Sequence, residues 1–274
     1  MKFEKTSPNE PGRPVTVGST IFGGKELVLI AGPCTVESRT QMLETAFAMK
    51  EAGATMLRGG AYKPRTSPYA FQGLCEAGLE ILAEARAATG LPVVTEVLES
   101  SQLERVAAVA DVLQIGSRNM HNSVLLRAAG ATQKPVLIKR GMSATLSEFL
   151  LAAEYVLSTG NEKVILCERG IRTFETATRF TLDLQAIPWI KQRSWVPIIV
   201  DPSHAAGDSA LVPAMSYAAI ACGADGVMIE AHVHPDQALC DGAQSETPES
   251  VFAMVKQLKA IAEASGRTFS TAHN

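Results

Sequence analysis

The sequence predicts an α/β protein built as a single (βα)8 (TIM) barrel, and three observations carry that expectation. Eight short apolar runs recur along the 274 residues: Leu27–Ala31, Ala54–Leu57, Val93–Thr95, Val112–Ile115, Val136–Ile138, Val164–Leu166, Ile198–Val200 and Val227–Ile229. They are continuous rather than alternating, as suits strands covered on both faces by helices. Amphipathic stretches with helix start and stop signals fill the gaps between them. Composition does not break along the chain, and neither a G-x-G-x-x-G turn nor a Walker loop supports an open doubly wound sheet.

In chain order, residues 1–25 are polar and rich in Pro and Gly, and read as a flexible N-terminal extension in which Val15-Thr16-Val17 suggests a small β-hairpin. The barrel then occupies 26–274. Ser38 with Gln41, and Thr145 with Glu148, have the spacing of a capping box, in which the hydroxyl takes an orphan backbone donor and the longer side chain reaches back. Thr247-Pro248 opens a last helix whose face is Val251, Met254, Val255, Leu258 and Ile261. Gly53, Gly90, Gly130, Gly160 and Gly223 stand where helices should end in a left-handed residue.

Charge is balanced, at −3 formally, with 46% hydrophobic residues, so nothing indicates nucleic acid. No apolar run is long enough to span a bilayer and no signal-peptide core is seen, which makes the cytoplasm the expected location. Five scattered cysteines read as reduced thiols. Cys75, Cys167 and Cys222 are expected in the core, and Cys240 is open.

In a barrel of this class chemistry belongs at the C-terminal ends of the strands. The runs lead there into Cys34, Arg58, Glu96, Ser117-Arg118, Lys139-Arg140, Glu168-Arg169, Asp201-Pro202-Ser203-His204 and Glu230. After the second run, Lys63, Arg65, Thr66 and Ser67 hang from one loop. Any one such group reads as a solvated charge, but so many cations gathered on one rim call for a multiply charged anion. Cys34, His204, Glu230 and Asp241 form a mixed thiolate, imidazole and carboxylate set suited to one borderline divalent ion, Mn²⁺, Fe²⁺, Co²⁺ or Zn²⁺. Spacing alone does not choose between His204 and His232 or His234. His121 and His273 read as loop residues.

Gly32-Pro33-Cys34, Arg58-Gly59-Gly60, Lys63-Pro64-Arg65-Thr66-Ser67, Gly116-Ser117-Arg118-Asn119, Lys139-Arg140-Gly141, Asp201-Pro202-Ser203-His204 and Glu230 with Asp241 resemble the 3-deoxy-D-arabino-heptulosonate 7-phosphate (DAHP) synthases. More narrowly, the chain resembles the subfamily related to the 3-deoxy-D-manno-octulosonate 8-phosphate (KDO8P) synthases. The resemblance implies condensation of phosphoenolpyruvate with erythrose 4-phosphate, the first step of the shikimate pathway, on a divalent metal. It implies Cys34, His204, Glu230 and Asp241 as metal ligands. Arg118 with Ser117, Lys139 and Arg169 would hold the phosphate of phosphoenolpyruvate, with Arg58 and Lys63 near its carboxylate. Arg65, Thr66 and Ser67 would hold the aldose phosphate, and Lys63, Glu96 and His204 would handle protons. A homodimer or homotetramer is expected. Because about 25 residues precede the first run, no built-in site for aromatic amino-acid inhibitors is expected. The alternatives are a KDO8P synthase using arabinose 5-phosphate and a non-catalytic metal- or anion-binding barrel. The loop Lys63-Pro64-Arg65-Thr66-Ser67 and Glu96 favour the four-carbon sugar.

Overall fold

A computed structural model describes residues 4–7, 13–65 and 67–269. A two-stranded antiparallel hairpin, β1 (Val15–Val17) and β2 (Thr20–Phe22), precedes eight parallel strands closed into a barrel. These are β3 (Val28–Gly32), β4 (Met56–Arg58), β5 (Val93–Glu96), β6 (Val112–Ile115), β7 (Val136–Lys139), β8 (Val164–Glu168), β9 (Ile198–Val200) and β10 (Gly226–Glu230). The barrel closes where β10 pairs with β3, from Gly226 opposite Val28 to Glu230 opposite Gly32.

Helices alternate with the strands: α1 (Arg39–Ala52), α2 (Glu76–Thr89), α3 (Leu103–Val109), α4 (Ser123–Ala131), α5 (Leu146–Leu157), α6 (Ala186–Lys191), α7 (Pro202–Ala206), α8 (Val212–Ala221) and α9 (Pro248–Ala264). Their starts follow side-chain chemistry. Thr145 and Glu148 complete a reciprocal capping box on α5. Ser38 caps α1 by accepting from Gln41, whose own side chain turns instead to the backbone of Glu37. Thr247 caps α9 ahead of Pro248.

The two-residue period of a strand sorts each one into an outward and an inward face. Outward residues such as Leu57, Leu113, Ile138 and Ile198 pack against the helices in the larger core cluster. Inward residues, among them Ile30, Met56, Val94, Leu137, Ile165 and Met228, fill the barrel and cluster with Val15, Val17 and Phe22 of the hairpin. Thr20 bonds the carbonyl of Thr55 just before β4, so the hairpin closes the N-terminal end of the barrel. The expected hairpin is thus a plug for one end, and the other end stays open.

Four expectations change. The lead is anchored where it is described: Thr6 is fully buried, and its N–H and hydroxyl donate to Glu154 Oε1 at 2.7 and 2.9 Å, which satisfies a carboxylate on α5. Gly130 does not end a helix. It lies inside α4, where a Cβ would come within 2.5 Å of Thr159 Oγ1, so the glycine serves close packing, while the left-handed residue after α4 is Gln133. Cys222 lies exposed at the end of α8, and Cys75 is the half-buried N-cap of α2, packed against the edge of the core, so of the three expected core thiols only Cys167 is fully buried. Several strands also run further than the apolar runs, because Arg58, Glu96, Lys139, Glu168 and Glu230 still occupy strand positions. His273 lies outside the described residues.

Candidate active site

The inward face continues past the apolar layers into chemistry. Two residues beyond Met56, Val94, Val112, Leu137, Ile199 and Met228 stand Arg58, Glu96, Gln114, Lys139, Asp201 and Glu230, all at the open C-terminal end. Arg58, Glu96, Gln114 and Lys139 floor a cavity of about 450 Å³ whose walls include Lys63, Arg65, Ser67, Ser117, Arg118 and Arg169, while Asp201 and Glu230 lie fully buried behind it. Thr66 lies outside the described residues.

Cys34, His204, Glu230 and Asp241 converge here. Donor atoms of His204, Glu230 and Asp241 lie within 4.8 Å of one another, and so do those of Cys34, Cys240 and Asp241. Cys34 Sγ stands 3.1 Å from Asp241 Oδ2. Asp201 caps the short α7, accepting the His204 N–H at 2.9 Å, and its other oxygen takes His204 Nδ1 at 2.7 Å. That second bond fixes the tautomer and leaves the Nε2 lone pair aimed inward. Burial, only partly opposed by the Asp201 and Glu230 carboxylates, lowers His204 to about 4, so the ring is neutral at pH 7.

Nε2 then faces Glu230 Oε1 at 3.3 Å, one lone pair against another. A cation resolves that confrontation, and the soft thiol with hard carboxylates is a donor set that fits a borderline divalent ion. Burial pushes the Cys34 thiol well up, helped by its contact with Cys240, so a bound cation is what would favour its thiolate.

The surrounding charges are paired and deeply placed. Arg58 and Glu230 form a buried ion pair at 2.7 Å. Burial opposes the Glu230 charge, but His204, Arg58 and Lys63 bring its pKa down to about 2. Lys139 pairs with Asp201 beneath His204. Lys63 Nζ lies 2.7 Å from Cys34 Sγ and 3.3 Å from Asp241 Oδ2, and despite burial these groups raise its pKa, keeping it charged. Burial raises the Glu96 carboxyl in spite of Lys63, Lys139, Arg58 and Arg118 around it. Arg65 Nη1 bonds Cys240 Sγ at 2.9 Å, which makes Cys240 part of the site wall. Arg169 stacks on Phe180 at 4.2 Å, and its buried Nη1 has no hydrogen-bond partner among the described residues, a donor that an anion would satisfy.

His232 and His234 stand apart from this centre: His232 Nε2 lies 3.6 Å from Glu37, and neither joins the donor groups. His121 is exposed, as expected of a loop residue. Sequence reasoning missed Arg172 and Arg179, which also line the cavity, and the buried Gln244 behind it. Both arginines follow the predicted Arg169 in the loop after β8, so a run of cations there was the available signal. The neutral Gln244 offered none.

Comparison with known proteins gives a consistent result. Residues 9–265 match the family described as the DAHP synthetase I family. The chain is 52% identical to a phospho-2-dehydro-3-deoxyheptonate aldolase of Thermotoga maritima, over 92% of this chain and 75% of that one. It is 35% identical to a 2-dehydro-3-deoxyphosphooctonate aldolase of Syntrophotalea carbinolica, over 89% and 94%. The crystal structure of the Thermotoga maritima phospho-2-dehydro-3-deoxyheptonate aldolase superposes with a TM-score of 0.95 at 49% identity, covering 98% of this chain and 79% of that one. A truncated 3-deoxy-D-arabino-heptulosonate 7-phosphate synthase from the same organism superposes with a TM-score of 0.90 at 46% identity, covering 97% and 98%.

Proposed function

The chain belongs to the DAHP synthetase I family, and we propose that it is a 3-deoxy-7-phosphoheptulonate synthase, an aldol-type transferase that condenses phosphoenolpyruvate with D-erythrose 4-phosphate. The observation that carries this reading is the meeting, at the open end of one barrel, of a mixed divalent-metal donor set with a screen of arginines and lysines. Two phosphates and a carboxylate brought together need such a screen, since they repel one another strongly outside it. A hydrolase using the same metal donors has no need of it.

Cys34, His204, Glu230 and Asp241 would hold the ion, which we take to be Mn²⁺, Fe²⁺, Co²⁺ or Zn²⁺. When bound, it supplies Lewis acidity toward the aldehyde oxygen of the sugar. Arg118, Lys139 and Arg169, with Ser117, would bind the phosphate of phosphoenolpyruvate, and Arg58 and Lys63 would lie near its carboxylate. Arg65, Ser67 and Thr66 would bind the aldose phosphate.

In the reaction, the third carbon of phosphoenolpyruvate bonds to the aldehyde carbon, and the aldehyde oxygen takes a proton to become a hydroxyl. Water adds at the second carbon, and that carbon's bond to the phosphate oxygen then breaks, leaving a ketone and inorganic phosphate. We assign delivery of the first proton to Lys63, whose Nζ lies 2.7 Å from Cys34 Sγ. Glu96, a carboxyl whose burial favours its protonated form, and His204, neutral at Nε2, are the other groups assigned to proton handling.

No helix among the described residues is long and apolar enough to cross a membrane. We take the protein to be a cytoplasmic homo-oligomer in which residues 1–25 are an extension and 26–274 the catalytic barrel. Loss of the enol absorbance of phosphoenolpyruvate, dependent on erythrose 4-phosphate and on added metal, tests the reading. No loss under any metal would overturn it.

A further inference from the structure

Glu230 is contacted on both oxygens. Oε1 accepts from Arg58 Nη1 at 2.7 Å and faces His204 Nε2, while Oε2 accepts from the side-chain amide of Gln244 at 2.7 Å. Among the described residues Oε2 has no other donor. Gln244 is buried, and its amide oxygen accepts from Arg179 Nη1 at 2.7 Å. Only one orientation of the amide works, because the reverse would set oxygen against carboxylate and NH2 against guanidinium.

The backbone holds Gln244 to this place. Asp241 takes a left-handed conformation (φ 53°) and Gly242 follows it into a 3-10 turn ending at Gln244. A Cβ on Gly242 would meet the Pro235 carbonyl oxygen at 2.2 Å. The chain then returns alongside the end of β10, with Glu246 N–H bonded to the Glu230 carbonyl at 2.8 Å and His232 N–H to the Glu246 carbonyl at 2.9 Å.

We infer that Gln244 is a positioning residue for the metal centre: by holding Oε2 it fixes the plane of the Glu230 carboxylate, and it ties that carboxylate to Arg179 on the cation-lined wall. Without it, the fork of Arg58 is free to take both carboxylate oxygens, the geometry a guanidinium prefers, and to turn Oε1 away from the ion. The inference rests on Glu230 being a metal ligand and deepens that reading. Partners of metal ligands typically change metal affinity about 10–100-fold when lost.

The test uses Co²⁺ alone, titrated into the metal-stripped full chain and read by its absorption, thiolate band included, with no substrate present. Gln244→Met keeps the volume and removes the donor. Gln244→Glu keeps an acceptor for Arg179 but sets a second carboxyl against Glu230. Both are expected to weaken Co²⁺ binding about 10–100-fold and to alter the spectrum of the saturated centre, with circular dichroism like that of the parent. If Gln244→Met does not fold, Gln244→Glu decides. Binding within twofold of the parent and an unchanged spectrum in a folded variant would overturn the inference alone. A parent chain that binds no Co²⁺ would bring down the ligand assignment, and this inference with it.

Discussion

Arg58 and Glu230 are sealed together under the cavity, with 6% and 0% of their side chains exposed. Removing one charge from such a pair strands the other, a larger loss than the pair's net value. Glu230→Ala is therefore expected to cost about 3–5 kcal/mol in denaturant unfolding, and a cost below about 1 kcal/mol would contradict the pairing. Arg65 is different: it is only half-buried and bonds Cys240 rather than a carboxylate. Arg65→Ala is expected to raise the Michaelis constant for erythrose 4-phosphate about 10–100-fold, the size of a lost charge-assisted bond, and to leave that for phosphoenolpyruvate within about threefold. An unchanged sugar constant would remove Arg65 from the aldose subsite. Residues of this sort were readable in advance because ionisable groups follow all the apolar runs, and so many cations gathered on one rim call for an anion to hold. Gln244 was not, since an uncharged amide becomes informative only once the chain beyond β10 folds back to set it between Glu230 and Arg179.

Helix α5 begins with the reciprocal bonds of Thr145 and Glu148, at 2.7 Å from the Thr145 N–H and 3.2 Å from the Glu148 N–H. Thr145→Ala is expected to lower the melting temperature by about 2–4 °C near pH 7. The Thr145 N–H, and then its hydroxyl, hold the Glu148 carboxylate below its ordinary value near 4.5. The unfolded chain thus binds the proton more readily, so this contribution is full above pH 4.5 and fades as pH falls through the folded value. The gap between parent and variant should narrow in acid, and a gap that widens would contradict the sign. On α4, Gly130→Ala should lower stability although alanine favours helix, because its Cβ would press on Thr159 and the Val156 carbonyl. A raised melting temperature would show that neighbour to be loose. Capping boxes were legible because their two side chains lie three residues apart. The packing role of Gly130 depends on α5, brought alongside only by the fold, and strand ends were drawn short where Glu96, Lys139 and Glu168 replace apolar residues but keep the ladder.

The barrel reconciles these parts. Eight parallel strands point their inward rows the same way, apolar toward the hairpin plug and in most of them polar or charged toward the open end, so one two-residue period sets both the core and the site. The architecture was legible from eight apolar runs and the helices between them; the plug was only hinted at, because Val15, Val17 and Phe22 are buried by strands far along the chain. In the proposed function this open end joins phosphoenolpyruvate to a four-carbon sugar phosphate on a divalent ion. The most direct measurement is phosphate release from phosphoenolpyruvate by metal-loaded protein, run in parallel with erythrose 4-phosphate and arabinose 5-phosphate, each with and without chelator. Rapid release with erythrose 4-phosphate alone, abolished by chelator and restored by metal, is the predicted result. Release confined to arabinose 5-phosphate, or release indifferent to the chelator, would contradict it.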